Sequence, residues 1–297
     1  MRIDAVLIAG PTASGKSAAA LGLAQRRNGV VINTDSMQVY RELRVLSARP
    51  TDEDEARAPH LLYGHVPISE RFSAGRYQDD AARALAEARV AKRLPIFTGG
   101  TGLYFEALEK GLAPVPPVPA AVRAANRERL EEIGADAFFA EFAARDPETA
   151  ASLRPRDAQR VLRAADVFAA TGRPLARWQK MAGKPVLDGL RVARFVIAPP
   201  RDELYARIDR RFDMMLAHGA LNEARALAAL DATLPAARAL GVPALLRHLA
   251  GEGTLEAAAD EVKRETRRYA KRQFTWFRNR MADWQWIEDA AALDSLV

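Results

Sequence analysis

Eight consecutive residues near the start of the chain, GPTASGKS, have the spacing G-x-x-x-x-G-K-S that is typical of phosphate-binding loops. Small side chains let successive backbone N–H groups point into one concave loop, and a helix that follows adds the positive end of its dipole. The loop could hold the phosphates of a nucleoside triphosphate or the diphosphate leaving group of another substrate. The predicted phosphate ligands are Gly10, Pro11, Thr12, Ala13, Ser14, Gly15, Lys16 and Ser17, with the Ser17 hydroxyl as the Mg²⁺ ligand.

A second group of polar side chains lies in the segment INTDSMQVY. Its acid, Asp35, directly follows residues that are typical of a buried strand, and Ser36 and Gln38 come next. A carboxylate beside an amide side chain can hold a nucleobase or an exocyclic amine. The same spacing fits a carboxylate that caps a following helix, so the residue types alone leave both interpretations open.

A third segment, GGTG at residues 99–102, follows another apolar run. Its glycines allow a tight turn, which would bring the Thr101 hydroxyl near the first loop. Nucleoside triphosphate hydrolases usually add an acid at such a strand end to position magnesium and water, and this strand ends without a carboxylate. A plain strand-to-helix turn, with Thr101 as the helix cap, is the alternative.

Strands and helices alternate through the first third of the chain, which predicts a parallel sheet covered by helices on both faces. In such sheets ligands bind beyond the carboxyl ends of the strands, and all three segments fall there. The predicted fold class is α/β, with a P-loop NTPase-like parallel sheet core. Strands are expected at residues 5–9, 29–35, 61–66 and 94–100, and helices at residues 18–26, 74–92 and 101–110.

The pattern changes at the proline-rich segment APVPPVP, and only helical patterns follow until the strand-like LRVARFVIA. This change predicts a helical insertion within the α/β core. The segment Met214-Met215-Leu216 has helical spacing and is expected in the core, and a last short strand is expected at residues 284–287. The predicted domains are a P-loop core formed by residues 1–112 and 190–297 and a helical insertion formed by residues 113–189.

The composition limits the possible classes of protein. The 297 residues include no cysteine and are 49% hydrophobic, which excludes disulfides and thiol catalysis and allows a substantial core. No apolar run is long enough to cross a bilayer. Because Met1 and Arg2 lead almost directly into a strand, we expect no signal peptide. We therefore expect a cytoplasmic protein without membrane contact.

Positive charge is concentrated late in a chain whose formal net charge is +6. In residues 263–280, lysines and arginines alternate with aromatic side chains, and Glu265 is the single acid. Such a cluster is suited to a polyanion with stackable bases. A solvated helix face is the competing interpretation.

Five segments, GPTASGKS, INTDSMQVYREL, FTGGTGLYFEAL, DAQRVLRAADVFAATGRPL and AKRQFTWFRN, together resemble the bacterial tRNA dimethylallyltransferases, which are tRNA isopentenyltransferases. The resemblance runs in order from residue 7 to residue 279. It implies transfer of a dimethylallyl group from dimethylallyl diphosphate to N6 of adenosine 37 in tRNA, with Mg²⁺ as cofactor and diphosphate as product. The implied partner is the anticodon stem-loop of a tRNA with an A36-A37-A38 context, clamped by the insertion, and the protein is expected to be a monomer.

The resemblance also implies roles for single residues. Asp35 would accept a proton from the adenine amine, Thr101 would lie near the bridging oxygen of the diphosphate, and Arg211 would contact the diphosphate, with Arg207 as second choice. Lys16 completes the expected catalytic set. The expected tRNA-binding residues are Asp35, Ser36, Met37, Gln38, Thr101, Arg123, Gln159, Arg160, Val161, Leu162, Arg163 and Arg238.

One segment departs from the family pattern, because the chain has Gly241-Val242-Pro243 where many relatives have Gly-Tyr-Arg or Gly-Tyr-Lys. No tRNA contact is therefore carried over to Val242 or Pro243. Three other functions remain: an adenylate isopentenyltransferase acting on free nucleotides, a P-loop nucleotide or small-molecule kinase, and a non-catalytic RNA-binding protein. The first would need no anticodon clamp, and the last would leave DSMQ and GGTG without a chemical role.

Overall fold

The computed structural model describes residues 3–296, apart from the side chains of residues 294 and 295. It divides into two compact units. The first, here called the sheet unit, comprises Met1–Glu109 and Val186–Val297. The second, the helical unit, comprises Lys110–Pro185, so it begins and ends slightly before the predicted insertion.

The described part of the sheet unit contains one sheet of six parallel strands in the order β3-β2-β4-β1-β5-β6. The strand β1 lies between β4 and β5, with Ala9 opposite both Gly99 and Val196. The loop GPTASGKS and the turn GGTG therefore begin side by side at one edge of the sheet. The strands are β1 (Ala5–Ala9), β2 (Gly29–Asn33), β3 (His60–Leu61), β4 (Leu94–Gly99), β5 (Val192–Ile197) and β6 (Gln285–Ile287).

Helices account for most of the remaining chain, and four of them, α5 to α8, lie in the helical unit. Short 3-10 helices at Ala236–Arg238 and Ala290–Ser295 complete the secondary structure of the described residues. The helices are α1 (Lys16–Arg26), α2 (Asp52–Arg57), α3 (Ala74–Val90), α4 (Gly102–Glu109), α5 (Ala120–Arg145), α6 (Pro147–Ala150), α7 (Ala158–Thr171), α8 (Leu175–Gln179), α9 (Arg201–Ala217), α10 (Ala220–Ala226), α11 (Val242–Leu249) and α12 (Leu255–Arg280).

Both faces of the sheet are covered, because successive side chains of a strand point to opposite faces. Leu7 on β1 belongs to the core shared with α3 and α4, whereas Val6 and Ile8 belong to the core shared with α1. All three are completely buried. A parallel sheet between two helical layers confirms the predicted α/β class, and it places the polar loops at one edge of a rigid support.

The helical unit has its own small core. Phe138 and Phe142 on α5 pack with Val161 and Ala164 on α7. The long helix α5 is interrupted at Gly134, whose φ of 78° is in the left-handed region that favours glycine. The predicted helical character of this part of the chain is confirmed.

Differences of one or two residues at element ends aside, the sequence prediction needs correction at β2, β3 and Met214. The strand β2 ends at Asn33, and β3 is a two-residue edge strand rather than a strand over residues 61–66. Met214 is 56% exposed, so its expected core position is wrong. The buried stripe of α9 passes through Ile208 and Phe212, and Met214 points away from it because each residue advances 100° around a helix. No described helix is both long and apolar enough to span a membrane.

Candidate active site

The loop between β1 and α1 has the backbone geometry of an anion nest. Ala13 and Gly15 adopt left-handed conformations, with φ of 65° and 92°. Alternation of this kind turns backbone N–H groups toward one side. The helix α1 begins at Lys16, and no described side chain caps its first turn. Its first N–H groups therefore face the same side as the loop and are available to an anion.

Lys16 adds a positive charge whose protonation is sensitive to its surroundings. Its Nζ donates a hydrogen bond to the carbonyl oxygen of Pro11 at 3.2 Å. Burial lowers the pKa of Lys16 to about 8, although Asp35 acts in the opposite direction and Arg211 reinforces the effect. The neighbouring Ser17 is exposed. Both residues line a cavity of about 410 Å³, here called the loop cavity.

Asp35 is held by the last residue of β2. The side-chain oxygen of buried Asn33 accepts the Asp35 N–H at 2.8 Å, and the Asn33 amide nitrogen donates to the Asp35 carbonyl at 2.9 Å. Asp35 Oδ1 accepts the backbone N–H of Met37 at 2.9 Å. The carboxylate therefore organises a short turn, and no helix follows it within the next residues. Asn33 was not identified from the sequence, because a single asparagine matches no local motif and its two bonds to Asp35 appear only in the fold.

The turn GGTG is bonded to the segment that contains Asp35. The Thr101 hydroxyl oxygen accepts the Ser36 N–H at 3.0 Å, and the Thr101 N–H donates to the carbonyl oxygen of Thr34 at 3.2 Å. A Cβ at Gly99 would overlap the backbone of Thr34. Because this glycine lets the ends of β2 and β4 meet, Thr101 and Asp35 belong to one hydrogen-bonded assembly.

A second cavity, of about 300 Å³ and here called the central cavity, lies between these loops and the helices α9 and α12. Thr12, Asp35 and Arg211 provide polar groups in its wall, and Arg211 also lines the loop cavity. The Arg211 guanidinium donates a hydrogen bond to the Thr12 hydroxyl. Burial lowers the pKa of Arg211 to about 10, against the opposing effect of Asp35. At neutral pH Arg211 is therefore a half-buried cation that faces both cavities.

The rest of the central cavity has an apolar part and a polar part. Tyr269 and Arg272, on α12, line it and were not identified individually from the sequence. They stand three residues apart in the basic and aromatic window, and the Arg272 guanidinium lies 5.6 Å from the centre of the Tyr269 ring. An aromatic and a basic residue three positions apart on one helix are the sequence feature that could have identified this pair. The apolar lining residues are Met37, Leu46, Ile208, Phe212, Met215, Ala239, Leu240 and Val262.

Two expected site residues, Gln38 and Thr101, are absent from the described residues that line the central cavity. The Gln38 side-chain nitrogen donates to the carbonyl oxygens of Ser47 and Ala48, at 2.9 and 2.8 Å. Both of its N–H groups are thereby used to hold a loop. Within this side chain, the amide oxygen Oε1 remains for another partner, since the backbone carbonyl oxygen of Gln38 accepts the N–H of Gly64.

A glutamate far along the chain fixes the cavity wall that contains Leu46. The Glu223 carboxylate accepts the backbone N–H groups of Arg44, Val45 and Leu46, at 2.8, 2.7 and 2.8 Å. Three bonds to one carboxylate hold this segment firmly, because charge-assisted hydrogen bonds are stronger than neutral ones. No local sequence pattern indicates this role, since Glu223 lies on α10.

The basic window on α12 separates into two groups. Lys263 and Arg267 form ion pairs with Asp213 and Asp209 on α9, at 2.6 and 2.5 Å. These two cations therefore join helices within the sheet unit. Other cations of the window are exposed: Arg264, Arg268, Lys271, Arg272, Arg278 and Arg280.

The expected tRNA-binding residues of the helical unit lie on α5 and α7. Val161 is 1% exposed and Leu162 packs beside it in the core of this unit, so their side chains do not form its surface. The surface at the start of α7 is formed by exposed side chains of the same segment, and Arg123 on α5 is also exposed. These exposed α7 residues are Gln159, Arg160 and Arg163. In the sheet unit, Arg238 is exposed and lines the central cavity.

The groups available to a divalent cation are few. Nowhere in residues 3–296 do three His, Asp or Glu side chains come together as a metal cluster. The exposed Ser17 hydroxyl beside the loop amides fits the other known arrangement, in which Mg²⁺ keeps several waters and binds mainly to phosphate oxygens of a substrate. The site therefore suits a magnesium ion that arrives with a diphosphate.

Residues 38–280 match a protein-family model described as IPP transferase. The chain is 58% identical over 289 residues to a tRNA dimethylallyltransferase of Rhodopseudomonas palustris strain TIE-1, covering 97% of this chain and 96% of that protein. It is 57% identical over 298 residues to a tRNA dimethylallyltransferase of Nitrobacter hamburgensis, covering 99% of this chain and 94% of that protein.

Solved structures give the same result. A full-length tRNA isopentenylpyrophosphate transferase of Bacillus halodurans superposes with a TM-score of 0.67 at 34% identity, covering 96% of this chain and 90% of that one. A eukaryotic dimethylallyltransferase acting on tRNA superposes with a TM-score of 0.78 at 27% identity. In that case 93% of this chain and 70% of the eukaryotic chain are covered.

Proposed function

The chain belongs to the IPP transferase family and is a transferase that prenylates tRNA, and on that premise we propose its substrates and the roles of its residues. The donor is dimethylallyl diphosphate, and the acceptor is N6 of adenosine 37 in the anticodon loop. The products are N6-isopentenyladenosine in tRNA and free diphosphate. The proton released from N6 balances the reaction.

One observation carries this proposal: Arg211 lines both the loop cavity and the central cavity. The diphosphate binds at Gly15, Lys16 and Ser17, and the five-carbon group extends past Arg211 toward the apolar lining of the central cavity. The bond that breaks joins these two parts of the donor. Arg211, Lys16 and the loop amides thus lie where negative charge grows as the C–O bond breaks, and they stabilise the transition state more than the ground state.

Asp35 is the group that prepares the acceptor. The N6 amine is a weak nucleophile, because its lone pair is delocalised into the purine ring. A carboxylate within hydrogen-bond reach of N6 accepts its proton as the new C–N bond forms. Asp35 lines the central cavity, and Thr101 is held against its neighbour Ser36. We assign Thr101 to the bridging oxygen of the diphosphate.

Magnesium would be held by the Ser17 hydroxyl together with oxygens of the diphosphate. When bound, it neutralises leaving-group charge that the protein's cations do not cover. The other contributions to catalysis come from the protein's own groups. Loop amides orient the diphosphate, Lys16 and Arg211 supply fixed cations, and the apolar lining excludes water from the reacting carbon.

The tRNA is bound by exposed cations of both units. In the sheet unit these are Arg238 and the exposed part of the basic window on α12, and in the helical unit they are Arg123, Arg160 and Arg163, beside Gln159. Arginine and lysine on a surface bind the phosphate backbone without reading its sequence. We propose that a monomer holds the anticodon stem-loop in this way, and light scattering of the protein with and without tRNA tests the stoichiometry.

The decisive assay combines the purified protein, Mg²⁺, dimethylallyl diphosphate and an unmodified tRNA transcript. Mass spectrometry of the digested RNA should show one isopentenyl unit on the nucleoside from position 37. A matched transcript with guanosine at position 37 is the negative control. Modification of that control, or of another adenosine in the first transcript, would contradict the assignment of the acceptor.

Two further reactions separate the competing functions. AMP, ADP and ATP replace the tRNA in one, and prenylation of any of them at a rate comparable with tRNA would favour an adenylate isopentenyltransferase. ATP replaces the prenyl donor in the other, and its consumption would favour a kinase. An isolated anticodon stem-loop tests whether that part of the tRNA suffices as acceptor.

A further inference from the structure

Gln273 is a buried amide that touches two active-site loops at once. It lies on α12 and is 5% exposed. Its Oε1 accepts the backbone N–H of Thr12 at 3.0 Å, and its Nε2 donates to the carbonyl oxygen of Gly100 at 2.8 Å. One side chain therefore connects the phosphate-binding loop to the GGTG turn.

The turn is shaped to receive this amide. A Cβ at Gly100 would overlap the Gln273 amide nitrogen, and a Cβ at Gly102 would overlap the ring of Trp276. Gln273 and Trp276 are three residues apart and lie on one face of α12. Two glycines of GGTG thus admit two neighbouring side chains of the same helix, and the third, Gly99, admits the backbone of Thr34.

Both ends of this connection lead to groups that the proposed reaction uses. Thr12 receives a hydrogen bond from Arg211 through its hydroxyl, so its backbone and side chain are held by different helices. Gly100 directly precedes Thr101, whose hydroxyl holds the segment of Asp35 through Ser36. The phosphate-binding loop and the GGTG turn begin on paired strands, and beyond those strands this one amide joins them.

We propose that Gln273 is a positioning residue, which sets the separation of the diphosphate loop and the adenine-binding segment without touching either substrate. This inference rests on the proposed transfer from an allylic diphosphate to N6. A primary amide is required, because the bridge needs an acceptor toward Thr12 and a donor toward Gly100 on one planar group. Replacing Gln273 by glutamate keeps an acceptor for the Thr12 N–H but places a carboxylate oxygen against the Gly100 carbonyl oxygen. Replacing it by methionine removes both the amide acceptor and the amide donor.

The separation of the two loops decides which nucleophile, N6 or water, reacts with the allylic carbon. With the loops correctly spaced, the carbon meets N6 as the C–O bond breaks. With the spacing altered, ionisation still occurs at the loop, but water reaches the carbon and gives dimethylallyl alcohol plus diphosphate. Misplacement of reacting groups by about 1 Å is enough to lower a rate about a hundredfold, so we expect transfer to fall much more than ionisation.

The test measures two products, isopentenylated tRNA and dimethylallyl alcohol, from the same labelled donor. Gln273→Glu and Gln273→Met should raise the ratio of alcohol to modified tRNA at least about tenfold and lower kcat for transfer by about a hundredfold. The KM for tRNA should stay within about threefold, because the surface cations that bind it are unchanged. Gln285→Met, at an exposed residue of β6, is the matched control.

The product ratio is independent of how much of a variant is folded. Suppose that the rates of tRNA modification and of alcohol formation fall by the same factor in both variants, together with a lower melting temperature. Gln273 is then only structural, and the proposal is wrong. It is equally wrong if both variants keep the wild-type ratio. Failure of the wild-type protein to modify tRNA at all would instead overturn the proposed function, so the two failures are distinguishable.

Discussion

The central cavity and the surface of the helical unit place polar side chains in opposite ways. Around the cavity, several polar groups are buried or half-buried and hydrogen-bonded to the backbone: Asn33 holds Asp35, and Glu223 holds the segment of Leu46. On α7, Arg160 is exposed and its ion pair is with Asp157, three residues earlier on the same segment. Chemistry at a single bond needs fixed atoms, whereas attraction of a polyanion needs only charge at a surface.

This difference predicts two kinds of variant. Changes among the fixed groups should lower kcat and leave tRNA binding nearly intact. Changes among the surface cations should weaken tRNA binding, in a salt-dependent way, and leave kcat nearly intact. The variants of Asp35, Arg211 and the α7 arginines described below are each expected to fall clearly into one kind, and a pH profile tests Lys16 separately.

The largest effect is expected for Asp35→Asn. Asparagine keeps an oxygen that can accept the Met37 N–H, so the turn survives, but it cannot take the proton from N6. We expect kcat to fall by about 10³-fold, which is typical of losing a general base, while the dissociation constant for tRNA changes little. Single-turnover rates and filter binding measure the two quantities. A loss of binding in proportion to the loss of rate would assign Asp35 to recognition instead.

The next effect is expected for Arg211→Ala, which removes the cation that faces both cavities. Removal of one fixed donor to a developing negative charge lowers kcat by about 10²- to 10³-fold. Arg207→Ala is the competing variant rather than a neutral control, because Arg207 lies one turn earlier on α9, pairs with Glu203 and also lines the loop cavity. Steady-state kinetics with varied dimethylallyl diphosphate compare the two. A larger loss of kcat in Arg207→Ala than in Arg211→Ala would show that Arg207, and not Arg211, contacts the diphosphate.

A pH profile tests Lys16. Burial lowers the pKa of Lys16 to about 8, so the lysine loses its charge as the pH rises through that value, and the loop then binds a diphosphate less well. We expect kcat/KM for the donor, which reports on the free enzyme, to fall about tenfold per pH unit above the pKa. Lys16→Arg should move this descent to higher pH, because arginine stays protonated. The same inflection in both proteins would exclude Lys16 as its origin.

The smallest effect is expected from the helical unit. The double variant Arg160→Ala, Arg163→Ala should raise the KM for tRNA several-fold. It should also reduce the slope of log affinity against log salt concentration by about 1 for each phosphate that is no longer neutralised. The rate of a single turnover at saturating tRNA should be unchanged. Titrations at several salt concentrations measure the slope, and a lower rate at saturation would show that these cations also help to position the adenine.

The sequence predicted what local pattern determines. The strand β1, the loop after it and the start of α1 follow from a short apolar run, small residues and helix-forming residues in order. The α/β class followed from repetition of that pattern. The edge strand β3 was predicted too long, because residues 61–66 have strand-like composition, but only His60–Leu61 finds a partner in β2.

Features that depend on distant partners were not predicted. Gln273 bonds to residues 261 and 173 positions away in the chain, and nothing near it indicates either bond. Lys263 and Arg267 were grouped with the RNA-binding cations, whereas the structure pairs them with acids on α9. Val242, which departs from the family pattern, is completely buried in a hydrophobic core. A sequence shows which residues are charged or apolar, but the fold decides what each one meets.

The pairing of β1 with β5 has a consequence for how the protein is made. Ala5 lies opposite Val192, so the strand that leads into the phosphate-binding loop acquires its second neighbour only after the whole helical unit has been synthesised. Until then the backbone N–H and C=O groups on one side of β1 have no strand partner, and such an unpaired edge can form hydrogen bonds with another chain. Contacts this distant in sequence also slow folding. For most of its synthesis on the ribosome, the nascent chain must therefore avoid incorrect pairing of β1, the strand that carries the phosphate-binding loop.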